Sequence, residues 1–179
     1  LRHGADVAVM ELGMNHAGEI RTLVDVATPE VRVWTNVGEA HIGYFGSADA
    51  IADAKAEIME GASPGTLLVA NADDARVMTR ATAFPGRIVT FGTTEAAEVR
   101  AADIEDLGLD GTKAVLITPQ GRRDLKVPLL GRGHLMNVVS PAAVAVEMGI
   151  DLDTIVQRAA GLKPSSRRGA VIRLPKGVT

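Results

Sequence analysis

Apolar and polar positions along this chain fall into two rhythms that exchange places several times. Val7 to Glu11 is a short apolar run ending on a carboxylate and followed by Gly13, which predicts a buried strand delivering Glu11 to its C-terminal edge. Ile20, Leu23, Val24 and Ala27 then recur at helical spacing within Gly18 to Ala27, and Pro29 closes that helix. Val31 to Val37 is β-branched and apolar and predicts a second strand ending at Gly38. Ser47 is placed to cap a helix running to about Glu60, and Pro64-Gly65 punctuates the way into a third strand, Thr66 to Ala70. A helix from Asp73 to about Ala83 and a strand from Arg87 to Phe91 continue the alternation. Strands that alternate with helices in this way favour a mostly parallel sheet flanked by helices, an α/β fold.

The pattern changes after Val99. Ala101 to Leu107, Ala114 to Thr118 and Asp124 to Val127 alternate with period two, with turns at Asp110-Gly111 and Gln120-Gly121, so a small antiparallel β insert is expected there. Asn137 to Met148 and Leu152 to Leu162 read as two closing helices. In doubly wound sheets the ligand crevice lies at the carboxyl ends of the strands. Glu11, the cluster from Asn36 to His41, and Asn71 all fall at such ends.

Composition narrows the field. The 179 residues are 46% hydrophobic, enough for one sizeable core, so residues 1–179 are expected to form a single globular unit. A formal charge of −3 argues against a general nucleic-acid or membrane-surface binder, which would carry a positive field. Any anionic ligand must be met locally. Without cysteine there is no disulfide, thiolate metal site or cysteine nucleophile. The longest apolar runs, such as Ala142 to Val146, are far too short to span a bilayer, and no signal peptide is visible, which makes a cytoplasmic protein the default expectation.

Three residues stand out for chemistry. Glu11, His41 and Lys55 lie at or just after strand ends, and a carboxylate with an imidazole at neighbouring ends suits a hard cation completed by substrate phosphates. Taken singly, Glu11 reads equally as a solvated strand end, His41 as a loop histidine bonded to backbone, and Lys55 as a surface helix lysine. Asp73 and Asp74 read as a charge pair at a helix N-terminus rather than as ligands. Trp34, the sole tryptophan, reads as a strand residue packed in the sheet.

Read together, the surrounding words are more specific. Glu11-Leu-Gly-Met-Asn-His-Ala-Gly-Glu-Ile20 resembles a signature of the central domain of the Mur ligases, in the branch that acts on D-alanyl-D-alanine. Thr35-Asn-Val-Gly-Glu-Ala-His41, then Phe45-Gly-Ser47 and Ala54-Lys-Ala-Glu-Ile58, is similar to the family's next signature, and Asn71-Ala-Asp-Asp74 to a third. The likeness continues through Gly131-Arg-Gly-His134 and from Asn137 to Arg168. It implies a ligase in which ATP phosphorylates the carboxylate of a UDP-N-acetylmuramoyl tripeptide and the amine of D-alanyl-D-alanine attacks the acyl phosphate. It also implies Glu11 and His41 as magnesium (Mg2+) ligands, with Lys55 joining them as a carbamate made with carbon dioxide. Asn137 and, less closely, His134 match positions facing adenine, Arg168 matches an arginine on the nucleotide phosphates, and Asn15, His16 and Asn36 lie where the peptide substrate would be met. Here Leu135 follows His134 where the family often has asparagine, and the spacing to Asn137 is one residue short.

A Gly-rich loop ending in Gly-Lys-Ser or Gly-Lys-Thr would cradle the ATP phosphates, and these residues contain none. The expectation is a central ATP-binding domain truncated on its N-terminal side, lacking the phosphate-loop strand, the N-terminal UDP-binding domain and the C-terminal domain. Such a chain should be inactive alone and should tend to self-associate through the opened sheet. Two other readings stay open: a Mur-type ligase adding a single amino acid, and a non-catalytic binding or assembly module of the same fold.

Overall fold

The computed structural model describes residues 4–38 and 42–163. Their centre is a six-stranded sheet in the order β1 (Val31–Trp34), β2 (Leu67–Asn71), β3 (Arg87–Gly92), β4 (Val99–Asp106), β5 (Thr112–Thr118) and β6 (Gly121–Val127). The first four strands pair in parallel, with Val33 beside Val69 and Val69 beside Val89. The last two run antiparallel. The predicted antiparallel strands are present and continue the same sheet, because β4 enters beside β3 through Phe91–Val99 and Gly92–Arg100 before turning back.

Helices cover both faces. α5 (Gly131–Glu147) packs across β2 to β5 and α6 (Leu152–Ala160) against β6. On the other face lie α1 (Glu19–Ala27), the short α2 (Ile42–Phe45), α3 (Ala48–Ala56) with a 3-10 turn at Glu57–Met59, and α4 (Ala75–Ala81). Strand alternation sorts the core: Val69 joins Val89, Phe91, Leu116 and Leu135 beneath α5, whereas Leu68 and Ala70 join Trp34, Val77 and Phe84 beneath α4. The valine, leucine and phenylalanine side chains of these clusters are of the kind that contribute roughly 1.5–3 kcal/mol each on full burial.

Local chemistry explains the helix boundaries. Ser47 is extended, and its hydroxyl accepts from the Ala50 amide at 3.1 Å to start α3. Asp74 does the same for α4, accepting from Arg76 and Val77, so this helix begins two residues later than the pattern predicts. Asp74 is the cap and Asp73 has other work, so the two do not act as a pair. α5 begins six residues earlier than predicted, because Gly131-Arg-Gly133 folds as its first turn, with no side-chain cap at Leu130.

One predicted element is absent. Val7 to Glu11 forms no strand, and Val7, Val9 and Met10 are 55%, 94% and 51% exposed. A strand is held by a neighbour that takes its backbone hydrogen bonds, and no described residue pairs with this segment. Its apolar side chains therefore face outward, as do Val31 and Val33 on the uncovered face of the edge strand β1.

Candidate functional site

The carboxyl end of β1 is fastened by three side chains acting on three consecutive residues. Asn71, buried at the end of β2, donates its amide to the Thr35 carbonyl at 2.7 Å. Lys55 donates its ammonium to the Asn36 carbonyl at 2.8 Å. Asp74 accepts from the Val37 amide at 2.6 Å with the oxygen that does not cap α4. An otherwise irregular stretch leading toward His41 is thereby held at the carboxyl end of the parallel strands. The Thr35 and Asn36 carbonyls each meet a donor there and the Val37 amide an acceptor.

Lys55 is half-buried, and burial pushes its amine below the usual lysine range, a shift partly opposed by the charge of Asp74. Depression raises the fraction of neutral amine, the form able to react with an electrophile. Among the described residues no carboxylate forms an ion pair with Lys55; its ammonium donates to the neutral Asn36 carbonyl.

The segment from Glu11 to Gly18 is built as a scaffolded loop. Met14 is buried with Ile51 and Ala54 of α3, which anchors the loop's middle. Glu19 reaches back to the amides of Asn15 at 2.6 Å and His16 at 3.1 Å, and to the His16 ring at 3.1 Å. The Asn15 amide, followed by the His16 contacts, holds the Glu19 carboxyl below its ordinary range. Gly18, at φ 88°, turns the chain into α1 in a left-handed conformation costly for any residue with a Cβ. The side chains of Asn15 and His16 remain exposed, with the His16 ring edge-on to Tyr44 at 5.9 Å.

A third cluster closes the ends of β2 and β3. Burial tends to raise the Asp73 carboxyl, but the Thr93 and Thr94 amides, the Thr93 hydroxyl and Arg132 outweigh it and hold the group below its ordinary range. Arg132, on the first turn of α5, also donates to the Thr93 hydroxyl. Gly92 makes room for this arrangement, since a Cβ there would stand 2.7 Å from an Asp73 oxygen. Next on α5, the His134 ring lies 2.8 Å from the Leu130 carbonyl, and Asn137, one turn further along the same face, is exposed.

The predicted site residues thus fall into groups. Lys55 and Asn36 are in contact, and His134 and Asn137 share a helix face. Asn15 and His16 share the loop before α1, and Glu11 is exposed at its start, where no hydrogen bond or ion pair to a described residue holds it. His41 and Arg168 lie outside the described residues. Among the described residues no three His, Asp or Glu side chains converge as a metal cluster. Sequence reasoning placed Asn71 at the crevice end of its strand but assigned no contact to Asn71, Asp74 or Glu57, although all three stand in quoted motifs. Their contacts reach 36 to 39 positions along the chain, and only the fold brings them together. A surface groove lined by Asp49, Asp53, Arg76, Thr79 and Arg80 lies between α3 and α4 and shares none of these residues; its walls are tied by Arg76–Asp49 at 3.3 Å and Arg80–Asp53 at 2.7 Å.

A parallel α/β domain with its polar constellation gathered at the strand carboxyl ends has the form of a small-molecule site. The chain belongs to the Mur ligase family: the family model described as the Mur ligase middle domain matches residues 1–146. It is 35% identical over 160 residues to the UDP-N-acetylmuramoyl-tripeptide--D-alanyl-D-alanine ligase of Escherichia coli K12, covering 88% of this chain and 35% of that protein. The enzyme of the same name from Synechocystis is 32% identical over 173 residues, covering 96% and 33%. A crystal structure of MurF from Acinetobacter baumannii superposes with a TM-score of 0.86 at 32% identity, covering 93% of this chain and 36% of that one. The chain therefore spans about a third of the length of the curated relatives it matches. Among the described residues no helix is long and apolar enough to cross a membrane.

Proposed function

We propose that this chain is the central, ATP-handling part of a cytoplasmic amide ligase that joins D-alanyl-D-alanine to UDP-N-acetylmuramoyl tripeptide in peptidoglycan precursor synthesis. The observation that carries the reading is the stapled end of β1, where a half-buried lysine of depressed basicity is held against Asn36 beside Asp74. The names of the related enzymes and the ordered motifs support the same reaction.

In this reading Lys55 reacts as a free amine with carbon dioxide, forming an N–C bond and releasing a proton. A cation thereby becomes an anion. Glu11, His41 and the Lys55 carbamate would hold magnesium, which bound there would neutralise the charge of the phosphates during transfer. The set is chemically suited to the ion, since all three groups then offer oxygen or imidazole donors. The chain's own residues do the positioning: Asn71 and Asp74 hold the stretch that leads to His41, and Glu19 folds the loop that presents Asn15 and His16. Asn137, with His134 behind it, meets adenine, an edge an amide serves by donating and accepting at once. Arg168 would meet the phosphates with its fixed fork of donors.

The same reading makes residues 1–179 one part of a longer ligase whose phosphate loop, UDP-binding domain and C-terminal domain lie outside them. The exposed Val7, Val9, Met10, Val31 and Val33 support it, because a further strand of the parent would cover them. Expressed alone, the segment is expected to lack ligase activity and to self-associate through that surface. The test is product analysis with the parent chain, ATP and the muramoyl tripeptide, offering D-alanyl-D-alanine or single amino acids. The dipeptide amide alone is the expected product; a single-residue adduct would assign the chain to a neighbouring ligase, and no adduct would leave a non-catalytic module.

A further inference from the structure

Among the described residues Glu57 is the only buried carboxylate, and it caps a helix to which it is not joined. One oxygen accepts from the Gly18 amide at 2.7 Å and the other from the Arg21 amide at 3.1 Å. These are the N-cap and third-residue amides of α1, the pair that a local capping box would normally satisfy with two side chains. Gly18 has no side chain to contribute, so one carboxylate 39 positions away serves both. Arg21 completes the joint, its guanidinium 2.5 Å from Glu60 and 4.0 Å from Glu57.

Glu57 stands two positions after Lys55, where α3 passes into its 3-10 turn. From this one run Lys55 reaches the end of β1, and Glu57 reaches the start of α1. The loop carrying Asn15 and His16 is therefore tied to the same few residues that carry Lys55, with Met14 buried between them. We propose that Glu57 is a positioning residue, which sets where Asn15 and His16 stand relative to Lys55 and so governs engagement of the muramoyl peptide without touching it. This rests on the ligase reading above.

The experiment compares wild type, Glu57→Gln and Glu57→Ala in the full parent chain, by steady-state kinetics and by hydrogen exchange over residues 13–21. Loss of the cap in Glu57→Ala should speed exchange at Gly18 and Arg21 and raise KM for the muramoyl peptide about tenfold, the size expected when a helix loses a charged cap. KM for ATP should stay within about twofold, since the adenine-side residues lie on α5. Glu57→Gln keeps one acceptor oxygen and should recover most of the peptide affinity, which also covers the case in which the alanine variant does not fold. Faster exchange with an unchanged peptide KM would reduce Glu57 to a structural cap and overturn the proposal, as would an equal rise in both KM values or unchanged exchange. Failure of the ligase reading is distinguishable, because it would appear as no peptide-dependent turnover in wild type.

Discussion

Asp74 divides its two oxygens between two tasks, and that division sets the cost of removing it. One oxygen accepts from the Arg76 and Val77 amides at 3.0 and 3.3 Å, and the other from the Val37 amide at 2.6 Å. Asp74→Ala removes a helix cap, worth about 1 kcal/mol, and strands the half-buried Val37 N–H, worth about 1–3 kcal/mol. Water reaches a half-buried amide, so the lower end applies, and the two losses together come to about 2 kcal/mol. For a domain of this size that lowers Tm by roughly 4–8 °C. Asp74→Asn keeps a capping oxygen but offers an NH2 group to Val37 in place of an acceptor, so it should lose about half as much. Urea unfolding of the three forms is the assay, with a shifted midpoint at constant m-value as the expected result. An alanine variant destabilised by less than about 0.5 kcal/mol, or an asparagine variant as unstable as the alanine one, would refute the dual role.

Other predictions follow from the same contacts. Lys55 has a folded-state pKa below its unfolded value of 10.5, so the penalty for burying its charge is complete below the folded pKa and is relieved as pH rises through it toward 10.5. Wild-type stability should gain from this in mildly alkaline solution, and Lys55→Met should lose that gain in denaturation curves taken across the range. Asp73 has the opposite sign: its stabilisation is present above the unfolded value of 3.8 and is lost as pH falls through the folded pKa, so Asp73→Asn should flatten the acid arm of the stability profile. Gly92→Ala would put a Cβ 2.7 Å from the Asp73 carboxylate, and should displace Asp73 from Thr93 and Thr94 at a cost of about 1–3 kcal/mol, read as a shifted urea midpoint.

How much of this was legible in the sequence depended on how local the cause was. Ser47 started its helix where its hydroxyl said it would, and the helix ending at Ala27, the strands β2 and β3 and the two hairpin turns followed from periodicity and Gly or Pro punctuation. By contrast, β1 ends at Trp34, three residues short of the predicted Val37, where side chains rather than a neighbouring strand take the backbone contacts. The segment Val7 to Glu11 has the composition of a strand, but pairing needs a neighbour, and composition does not say whether one is there. The predicted helix began only at Asn137, and two glycines in Gly131-Arg-Gly133 are poor helix formers, yet packing of Leu135, Val138 and Val139 beneath the sheet accompanies an α5 that starts at Gly131. Within the site, Lys55 and Asn36 were both named as candidates and are in contact. That Asn71, Asp74 and Glu57 hold the loops around them was not readable, since each acts on a backbone group 36 to 39 residues away and no spacing rule links them. The Glu19 contacts reach only three to four residues, but they fall on Asn15 and His16, before the N-cap Gly18, where the capping-box rule does not apply.

The proposed ligase chemistry has Lys55 acting as a carboxylate. It is tested most directly by phosphate release from ATP in the full parent chain, with muramoyl tripeptide and D-alanyl-D-alanine, comparing wild type, Lys55→Ala, and Lys55→Ala supplied with short carboxylic acids. Release is expected to require both cosubstrates, to be lost in the variant, and to be partly restored by the acids. Release that is indifferent to the cosubstrates, or a Lys55→Ala variant as active as wild type, would contradict it.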